Sequence, residues 1–277
     1  TKKLGYKSSL VAFEIEEKDI PNAVKILNSH PGISHNYERN HSFNIWFTIA
    51  VAPNSNLGLE KSIEILAKKT NAKNYIILPT LKLFKISVKL DTTNKEEKQE
   101  KLIQKSFTNL DLSEYHYKFI KLLQQDIEFK SEPFKFIVDQ LNISYDELFK
   151  IIQEFINSGV MRRFASILNH RKAGFSANAM VVWDIDEKKS QDIGEIAASF
   201  SAVSHCYLRP QYPNWKYNLF TMIHGKTEDD TQKTIEDIAN KIEYRDKMAL
   251  YSSKEFKKVR IIYFSDEFEN WEKENNN

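Results

Sequence analysis

The sequence predicts an α+β protein in which two copies of a βαββαβ domain flank a winged helix-turn-helix. Three observations predict this class. A short pattern from the first half returns 170 residues later, strands and helices recur in the same order around both occurrences, and three short helical patterns lie between them. The βαββαβ order is the ferredoxin-like motif, an antiparallel sheet with both helices on one face.

The repeated pattern is Ser-His-x-Tyr-x-Arg. It occurs over residues 34–39 and again over 204–209, and an apolar strand follows each occurrence. A glycine with an aromatic neighbour opens each copy, as Gly5-Tyr6 and as Gly174-Phe175. We therefore expect two related halves.

The periodicity of the apolar residues assigns the elements of both halves in the same order. In the first half it predicts strands over 9–15, 33–39, 43–51 and 75–88, the last broken near Pro79, and helices over 20–30 and 59–69. In the second half it predicts strands over 179–185, 203–209, 217–224 and 247–259, and helices over 191–200 and 231–242. Each sheet keeps one face without helices, so we expect the halves to pack together as a pseudo-dimer, with wider homo-oligomers left open.

The segment between the halves predicts a connecting module. Helical patterns run over 113–124, 133–141 and 145–157, Ser144 and Glu147 form a capping box for the third helix, and residues 160–168 can form a β-wing. The predicted domains are a first ferredoxin-like domain (1–92), a linker (93–110), the winged helix-turn-helix (111–170), a second ferredoxin-like domain (171–265) and a polar C-terminal tail (266–277). The third helix carries three acids and one Lys, which argues against DNA binding and favours a scaffold or dimerisation element.

Composition narrows the function classes. Forty Lys and Arg against 38 Asp and Glu leave a net charge of +2, without the basic excess of a duplex-binding protein, and the seven glycines form no phosphate-loop motif. The single cysteine, Cys206, permits no internal disulfide framework and fits a reducing cytoplasm. No apolar run is long enough to span a bilayer, so we expect a cytoplasmic protein without membrane attachment.

The repeated pattern supplies candidate site residues, because alternate side chains of a strand share a face. The residues that share a face are His35, Tyr37 and Arg39 in the first half and His205, Tyr207 and Arg209 in the second. His41 joins the first set if its strand continues. One such strand is typical of a solvated sheet face, but two copies in domains that pack by this face favour a ligand site.

A basic segment lies between the predicted wing and the second half. It contains Arg162, Arg163, His170, Arg171 and Lys172. The segment is either a solvated loop or, placed beside Arg39 and Arg209, a set of donors for carboxylates, which Arg binds in bidentate fashion. With Trp46 and further aromatic residues nearby, the pattern indicates a polycarboxylate ligand with an apolar body, a description that fits an iron tetrapyrrole.

Three longer strings make the chain similar to a known family. They are GISHNYERNHSFNIWFT (32–48), RRFASILNHRKAGF (162–175) and SHCYLRPQYPNWKYNLFTMIHG (204–225). They resemble the sirohaem decarboxylase family of the Lrp/AsnC-like superfamily, in its fused two-half form. That family places a helix-turn-helix before each half, whereas four residues precede Gly5 here. The resemblance therefore predicts that a first module is missing from this sequence.

The resemblance also implies an activity. It implies a carboxy-lyase that removes the C12 and C18 acetate carboxyl groups of sirohaem to give 12,18-didecarboxysirohaem, for haem d1 or for the alternative route to haem. No cofactor is implied beyond the iron tetrapyrrole substrate. Loss of CO₂ from an acetate leaves a carbanion-like methylene, so the macrocycle needs a proton donor, and histidine suits that task.

Roles for the candidate residues follow from that chemistry. We predict His41, His35 and His205 as catalytic, with any one of them as the alternative axial ligand of the substrate iron. We predict substrate contacts from Arg39, Tyr37, Arg209, Tyr207, Trp46 and the basic segment. His41 has no counterpart in the second half, where a longer loop from Pro210 to Lys216 replaces its segment. The halves are therefore not expected to be chemically equivalent.

Two other function classes stay open. An Lrp/AsnC-like ligand-responsive transcription regulator would bind operator DNA with a steep salt dependence. A non-catalytic tetrapyrrole-binding protein would bind sirohaem and release no CO₂.

Overall fold

A computed structural model describes residues 2–86, 107–161 and 177–276. The first half contains, in order, β1 (Lys7–Glu14), α1 (Ile20–Ser29), β2 (Ile33–Arg39), β3 (Ile45–Val51), α2 (Gly58–Lys69), β4 (Asn74–Pro79) and β5 (Lys82–Ile86). The connecting module contains α3 (Glu114–Leu123), α4 (Lys135–Leu141) and α5 (Tyr145–Ser158). The second half contains β6 (Ala177–Asp184), α6 (Ser190–Ser199), β7 (Val203–Leu208), β8 (Leu219–Gly225), α7 (Glu228–Ala239) and β9 (Asp246–Lys258), and α8 (Glu267–Asn275) follows it. The predicted α+β class with two βαββαβ copies is confirmed.

The two halves exchange the ends of their last strands. The nine strands run in the order β4-β1-β3-β2-β9-β6-β8-β7-β5. The first part of β9 pairs with β6 of its own half, and its second part pairs with β2 of the first half. The first-half counterpart of β9 is broken after Pro79 into β4 and β5. As a result β4 pairs with β1, while β5 pairs with β7 of the second half. Each sheet is therefore completed by a strand from the other half.

A Phe-Lys pair on each exchanged strand fills the other half's helical layer. Phe84 packs into the core of the second half, where Gly194 of α6 leaves room for its ring, since a Cβ there would come within 2.3 Å of the Phe84 Cζ. The ammonium of Lys85 donates to the Phe200 carbonyl at 2.8 Å, just beyond the C-terminus of α6. Phe256 and Lys257 occupy the matching place, and Lys257 donates to the Asn28 carbonyl of α1 at 2.7 Å. A cation at a helix C-terminus is favourable because the carbonyl groups there form the negative end of the helix dipole.

The helix-free sheet faces contribute to one apolar cluster. Its buried members from the first half are Ala12, Phe43, Trp46, Ile76 and Leu78, and those from the second are Met180, Val182, Trp215, Tyr217, Phe220 and Leu250. Six of these eleven side chains are aromatic or methionine, which fill irregular space between two sheets. This space lies directly beside the repeated His-x-Tyr-x-Arg strands.

The connecting module has the three predicted helices. Phe119, Ile137, Leu148 and Phe155 form its buried core. The predicted capping box of α5 is present, and α5 ends at Gly159 in the left-handed conformation, with φ of 73°. The predicted wing lies almost entirely outside the described residues, so the winged part of the module stays a prediction.

The predicted polar tail is wrong, because residues 267–275 form α8 and two of its aromatic side chains are buried. Phe268 and Trp271 are 6% and 8% exposed, and Trp271 joins the helical core of the first half. Spaced three residues apart, the two rings share one helix face. The other seven residues of the helix are charged or carry an amide, so its composition did not indicate a buried face.

Burial of His30 predicts an acid-dependent loss of stability. His30 is 2% exposed against Trp271, and burial, assisted by Lys257, lowers its pKa from the usual 6.5 to about 3. As the pH falls, the imidazole is therefore protonated in the unfolded chain before it is protonated in the folded protein. The free energy of unfolding is unaffected by this group above pH 6.5 and declines by about 1.4 kcal/mol per pH unit as the pH falls towards 3.

Phe200 holds the position in the second half that matches His30. We expect His30→Phe to flatten the plot of unfolding free energy against pH by one proton, measured by denaturant unfolding between pH 4 and 7. An unchanged slope would assign the acid sensitivity to other groups.

Candidate functional site

Both repeated strands bulge at the serine that precedes the histidine. The register shifts between Ile33 and His35 in β2 and between Val203 and His205 in β7. In each strand the serine hydroxyl bonds the Nδ1 atom of the next residue, at 2.9 Å for Ser34 and 2.8 Å for Ser204. Bulges re-aim side chains, and here the same bulge fixes both imidazole rings through Nδ1.

His35 lies between strands from both halves. It pairs with Thr48 of β3 on one side and with Lys258 of β9 on the other. Burial lowers the pKa of His35, Lys258 lowers it further, and Glu255 opposes both. The ring is therefore largely neutral at pH 7. Its centroid lies 6.2 Å from that of Tyr37, which the sequence placed on the same face.

His205 has different neighbours in the equivalent place. It pairs with Met222 of β8 on one side and with Ile86 of β5 on the other. These two residues replace the Thr48 and Lys258 that flank His35. Its Tyr207 partner stacks on it with ring centroids 6.0 Å apart. Ser204 also bonds the Nε2 atom of His224 at 2.8 Å, so that one hydroxyl joins two imidazoles. The corresponding hydroxyl, Ser34, bonds Thr48 at 2.9 Å instead.

The two arginines of the pattern are buried and reach across to the opposite half. Arg39 is 5% exposed and donates from Nη1 to the Leu250 carbonyl at 2.7 Å, whereas Arg209 is 8% exposed and donates to the Leu78 carbonyl. Their guanidinium groups lie 5.6 Å from the ring centre of Tyr37 and 4.8 Å from that of Tyr207. Burial lowers the pKa of each arginine to about 10, so both stay charged at neutral pH.

Neither arginine has its donors fully used. Within the part of the chain that the structure describes, the buried Nε atoms of Arg39 and Arg209 have no hydrogen-bond partner. A buried donor without an acceptor is costly, and a carboxylate is the acceptor that a guanidinium binds best. Both residues thus keep a free donor while they hold the two halves together.

Matching asparagines define the loops that differ between the halves. Asn44 bonds the backbone of Ile15 in both directions, at 3.0 and 2.8 Å, and Asn218 does the same with Ile185 at 3.0 and 3.1 Å. Residues 40–43 lie between Arg39 and Asn44 in the first half, and residues 210–217 lie between Arg209 and Asn218 in the second. The extra residues of the second loop have no counterpart in the first.

His41 lies on the shorter loop and contacts the longer one. The Phe43 backbone N–H donates to its Nδ1 at 3.0 Å, so the neutral ring carries its proton on Nε2. Its ring stacks on Phe43 at 5.9 Å and meets Trp215 edge-on at 5.5 Å. Burial lowers the pKa of His41, and Glu14 opposes that effect. First-half and second-half residues therefore meet at this histidine.

Trp46 belongs to the same aromatic group. Its ring centre lies 5.3 Å from that of Trp215, and its Nε1 donates to the Phe43 carbonyl at 2.6 Å. Trp215 also contacts Tyr217 and Phe220, with centroids 5.2 and 6.2 Å away. The prediction that Trp46 has an aromatic setting agrees with this group, and its contact with substrate stays a prediction.

The predicted residues gather around three points rather than one. His35 lies with Tyr37, His205 lies with Tyr207, and His41 lies with Trp46. His35 and Arg39 are four residues apart on β2, so their Cα atoms are separated by roughly 13 Å. His41 follows Arg39, and it therefore lies near the opposite end of β2 from His35. The predicted basic segment (Arg162, Arg163, His170, Arg171 and Lys172) lies outside the described residues.

Several residues of these three groups were not predicted. Ser34 and Ser204, which orient the histidines, could have been found because the Ser-His pair occurs in both halves. Asn44 and Asn218 carry the same signal of matching positions. The contact between His41 and Trp215 has no local signal, since the two residues are 174 positions apart.

The described residues contain neither a metal-binding cluster nor a membrane-spanning helix. No group of three or more His, Cys, Asp or Glu side chains within 2–86, 107–161 and 177–276 comes together to hold a metal ion. In those same ranges no helix has the length and apolar character needed to cross a membrane.

Comparison with known proteins covers both halves. The family model of the AsnC-like ligand binding domain matches residues 3–85 and 172–257. The chain is 39% identical over 271 residues to "Siroheme decarboxylase" of Hydrogenobacter thermophilus, covering 98% of this chain and 80% of that protein. It is 40% identical over 144 residues to "Siroheme decarboxylase beta subunit" of Methanosarcina barkeri, covering 52% of this chain and 95% of that protein.

A solved structure with a bound tetrapyrrole is also similar. The structure of the siroheme decarboxylase NirDL in complex with an iron-uroporphyrin III analogue aligns with a TM-score of 0.76 and 32% identity, covering 99% of this chain and 80% of that chain. That similarity spans both halves and the module between them.

Proposed function

The chain belongs to the sirohaem decarboxylase family, and from this premise we propose that it removes the C12 and C18 acetate carboxyl groups of sirohaem to give 12,18-didecarboxysirohaem. The product would enter haem d1 formation or the alternative route to haem. The observation that carries the proposal is the 39% identity along 98% of the chain, which includes both Ser-His-x-Tyr-x-Arg strands. The iron arrives with the substrate, and the reaction needs no organic cofactor.

His41 is the proposed proton donor. Decarboxylation leaves electrons on the acetate methylene, and protonation of the macrocycle provides a place for them. Because the Phe43 N–H occupies Nδ1, the neutral ring offers an N–H at Nε2 and no lone pair there. The Nε2 N–H can hydrogen-bond to the substrate and does not bind iron. To act as an acid the ring first takes up a proton at Nδ1, in exchange for the Phe43 contact, because the imidazolium and not the neutral ring releases a proton. The burial that lowers the pKa of His41 also makes its charged form a stronger acid.

His35 and His205 are the proposed alternatives for the axial ligand. Their Nδ1 atoms bond serine hydroxyls, which can accept as well as donate. A ring that donates from Nδ1 to the serine keeps a lone pair on Nε2 for iron. Metal-binding histidines commonly use their second nitrogen in this way, because the outer bond fixes ring orientation and basicity.

The remaining carboxylates of the substrate would meet the arginines. The buried Nε donors of Arg39 and Arg209 support contacts with anionic oxygens, and the adjacent Tyr37 and Tyr207 rings would orient the histidines. The basic segment is the proposed source of further contacts. Loss of solvation in the aromatic space between the sheets would favour release of CO₂ from the reacting acetate.

Pseudo-dimeric packing of the two halves is part of the proposal. The exchanged strands, the reciprocal lysines and the shared aromatic cluster support it. In this arrangement His41 and His205 belong to surfaces completed by both halves. Relatives named as separate subunits also support further association of such chains.

A titration with sirohaem tests the binding part of the proposal. We expect added sirohaem to give a shifted and sharpened Soret band that saturates at a fixed ratio to protein, because an imidazole nitrogen reaches the iron in an apolar space. Lysozyme at equal concentration serves as the control for nonspecific uptake. A spectrum identical to that of free sirohaem would contradict the proposed function.

A further inference from the structure

The indole N–H of Trp215 is a buried hydrogen-bond donor that lacks an acceptor within the described ranges. The side chain is 2% exposed, and among the described residues none accepts from its Nε1. The two comparable indoles differ in this respect. Trp46 donates to the Phe43 carbonyl at 2.6 Å, and Trp183 donates to the Thr221 hydroxyl at 3.0 Å. Buried polar groups nearly always have partners, so the unused donor of Trp215 requires an explanation.

The surroundings of Trp215 are aromatic. Phe43, Trp46, Tyr217 and Phe220 contact its ring, and His41 meets it edge-on. His41 cannot serve as the acceptor at Nδ1, because the Phe43 N–H occupies that atom, and its neutral ring carries a proton on Nε2. The His41 and Trp215 rings, one from each half, therefore lie side by side with centroids 5.5 Å apart, and within the described residues the indole N–H has no acceptor.

Trp215 lies on the longer loop of the second half, residues 210–217, and this loop positions its indole ring. Trp215 and Tyr212 close a tight turn through reciprocal backbone hydrogen bonds of 2.8 and 2.9 Å. The Tyr212 hydroxyl donates to the Ile77 carbonyl of β4 at 2.6 Å, which ties the turn to the first half. The loop that carries both residues is longer than its counterpart in the first half. It thus brings a second-half indole to a first-half histidine.

We propose that Trp215 is a substrate-binding residue whose indole N–H donates to a carboxylate oxygen of the tetrapyrrole bound beside His41. The inference rests on the proposed function, because the acceptor belongs to sirohaem. The carboxylate lies between donors from both halves, so this part of the site is composite. The donor selects for an acidic substituent at that position, since a neutral alkyl group would leave it unpaired.

Trp215→Phe tests the inference, because it removes the N–H and keeps an aromatic ring. We expect the Kd for sirohaem, measured by absorbance titration, to rise about tenfold, the effect of one lost hydrogen bond to a charged group. The thermal midpoint should fall less than that of Trp183→Phe, because both variants lose the same buried ring volume but only Trp183→Phe also breaks a hydrogen bond within the described residues. Trp183→Phe is the matched control. It should lower the midpoint further, since the Thr221 hydroxyl loses the indole donor and keeps only its bond to the Val181 carbonyl, and it should leave the Kd unchanged.

Other outcomes overturn the inference in distinguishable ways. A Kd for Trp215→Phe within twofold of the unaltered protein would mean that water or nothing accepts from the indole. A midpoint that falls as far as that of Trp183→Phe would mean that the indole has a protein partner. Failure of the unaltered protein to bind sirohaem would contradict the proposed function itself, and the inference with it.

Discussion

Replacing His41 by Ala is expected to lower the rate of sirohaem decarboxylation by about 10²- to 10⁴-fold, the range typical of a lost general acid. The Soret band of bound sirohaem should stay as in the unaltered protein, because His41 presents an N–H rather than a lone pair. Rates measured by mass spectrometry of the product, beside absorbance spectra of the same samples, separate the two effects.

The companion variant, His35→Ala, should behave differently. If His35 is the axial ligand, its loss changes the spectrum of bound sirohaem as well as the rate, and His205→Ala leaves that spectrum unchanged; the reverse pattern assigns the ligand to His205. His116→Ala is the control, because that histidine caps α3 in the connecting module. Unchanged turnover in both His41→Ala and His35→Ala would contradict the assignment of these histidines as catalytic residues.

Gly32→Ala is expected to have the largest effect on stability. A Cβ at Gly32 would lie 1.8 Å from the Ala50 carbonyl oxygen and 3.0 Å from its carbon. That carbonyl belongs to β3, so relief requires β2 to move away from β3 and to break the 2.9 Å bond from Ala50 N to the Gly32 carbonyl. We expect a loss of roughly 3 kcal/mol or more in unfolding free energy, about 10 °C in thermal midpoint.

The same substitution should also weaken sirohaem binding. Gly32 precedes the bulge that holds Ser34 between Thr48 and His35, and a displaced β2 separates these groups. Gly58→Ala is the matched control. Its Cβ would meet no atom of the described residues within 4 Å, and its φ of 74° opposes the substitution, so a cost near 1 kcal/mol is expected. Equal midpoints for the two variants would contradict the steric account.

The duplicated pattern explains why much of the fold could be predicted. Strand alternation placed His35, Tyr37 and Arg39 on one face, and in the structure the Tyr37 ring lies 6.2 Å from the His35 ring and 5.6 Å from the Arg39 guanidinium. The strand exchange could not be predicted. The break after Pro79 was visible, but the pairing of β5 with β7 depends on a strand more than a hundred residues away.

The candidate site could likewise be predicted only in part from the sequence. Local spacing identified the arginines as a pair, yet each one bonds a carbonyl of the opposite half, which no spacing reveals. His41 was predicted from its chemistry, while its contact with Trp215 depends on how the halves pack. The C-terminal helix was missed because two buried rings are a weak signal among polar residues.

The mass of the tetrapyrrole after incubation with the protein tests the central claim most directly. Sirohaem incubated with the protein should give a product lighter by two molecules of CO₂, while His41→Ala over the same time should leave nearly all of it intact. Recovery of intact sirohaem from unaltered protein that binds it would contradict the decarboxylase account and would identify a tetrapyrrole-binding protein without catalysis.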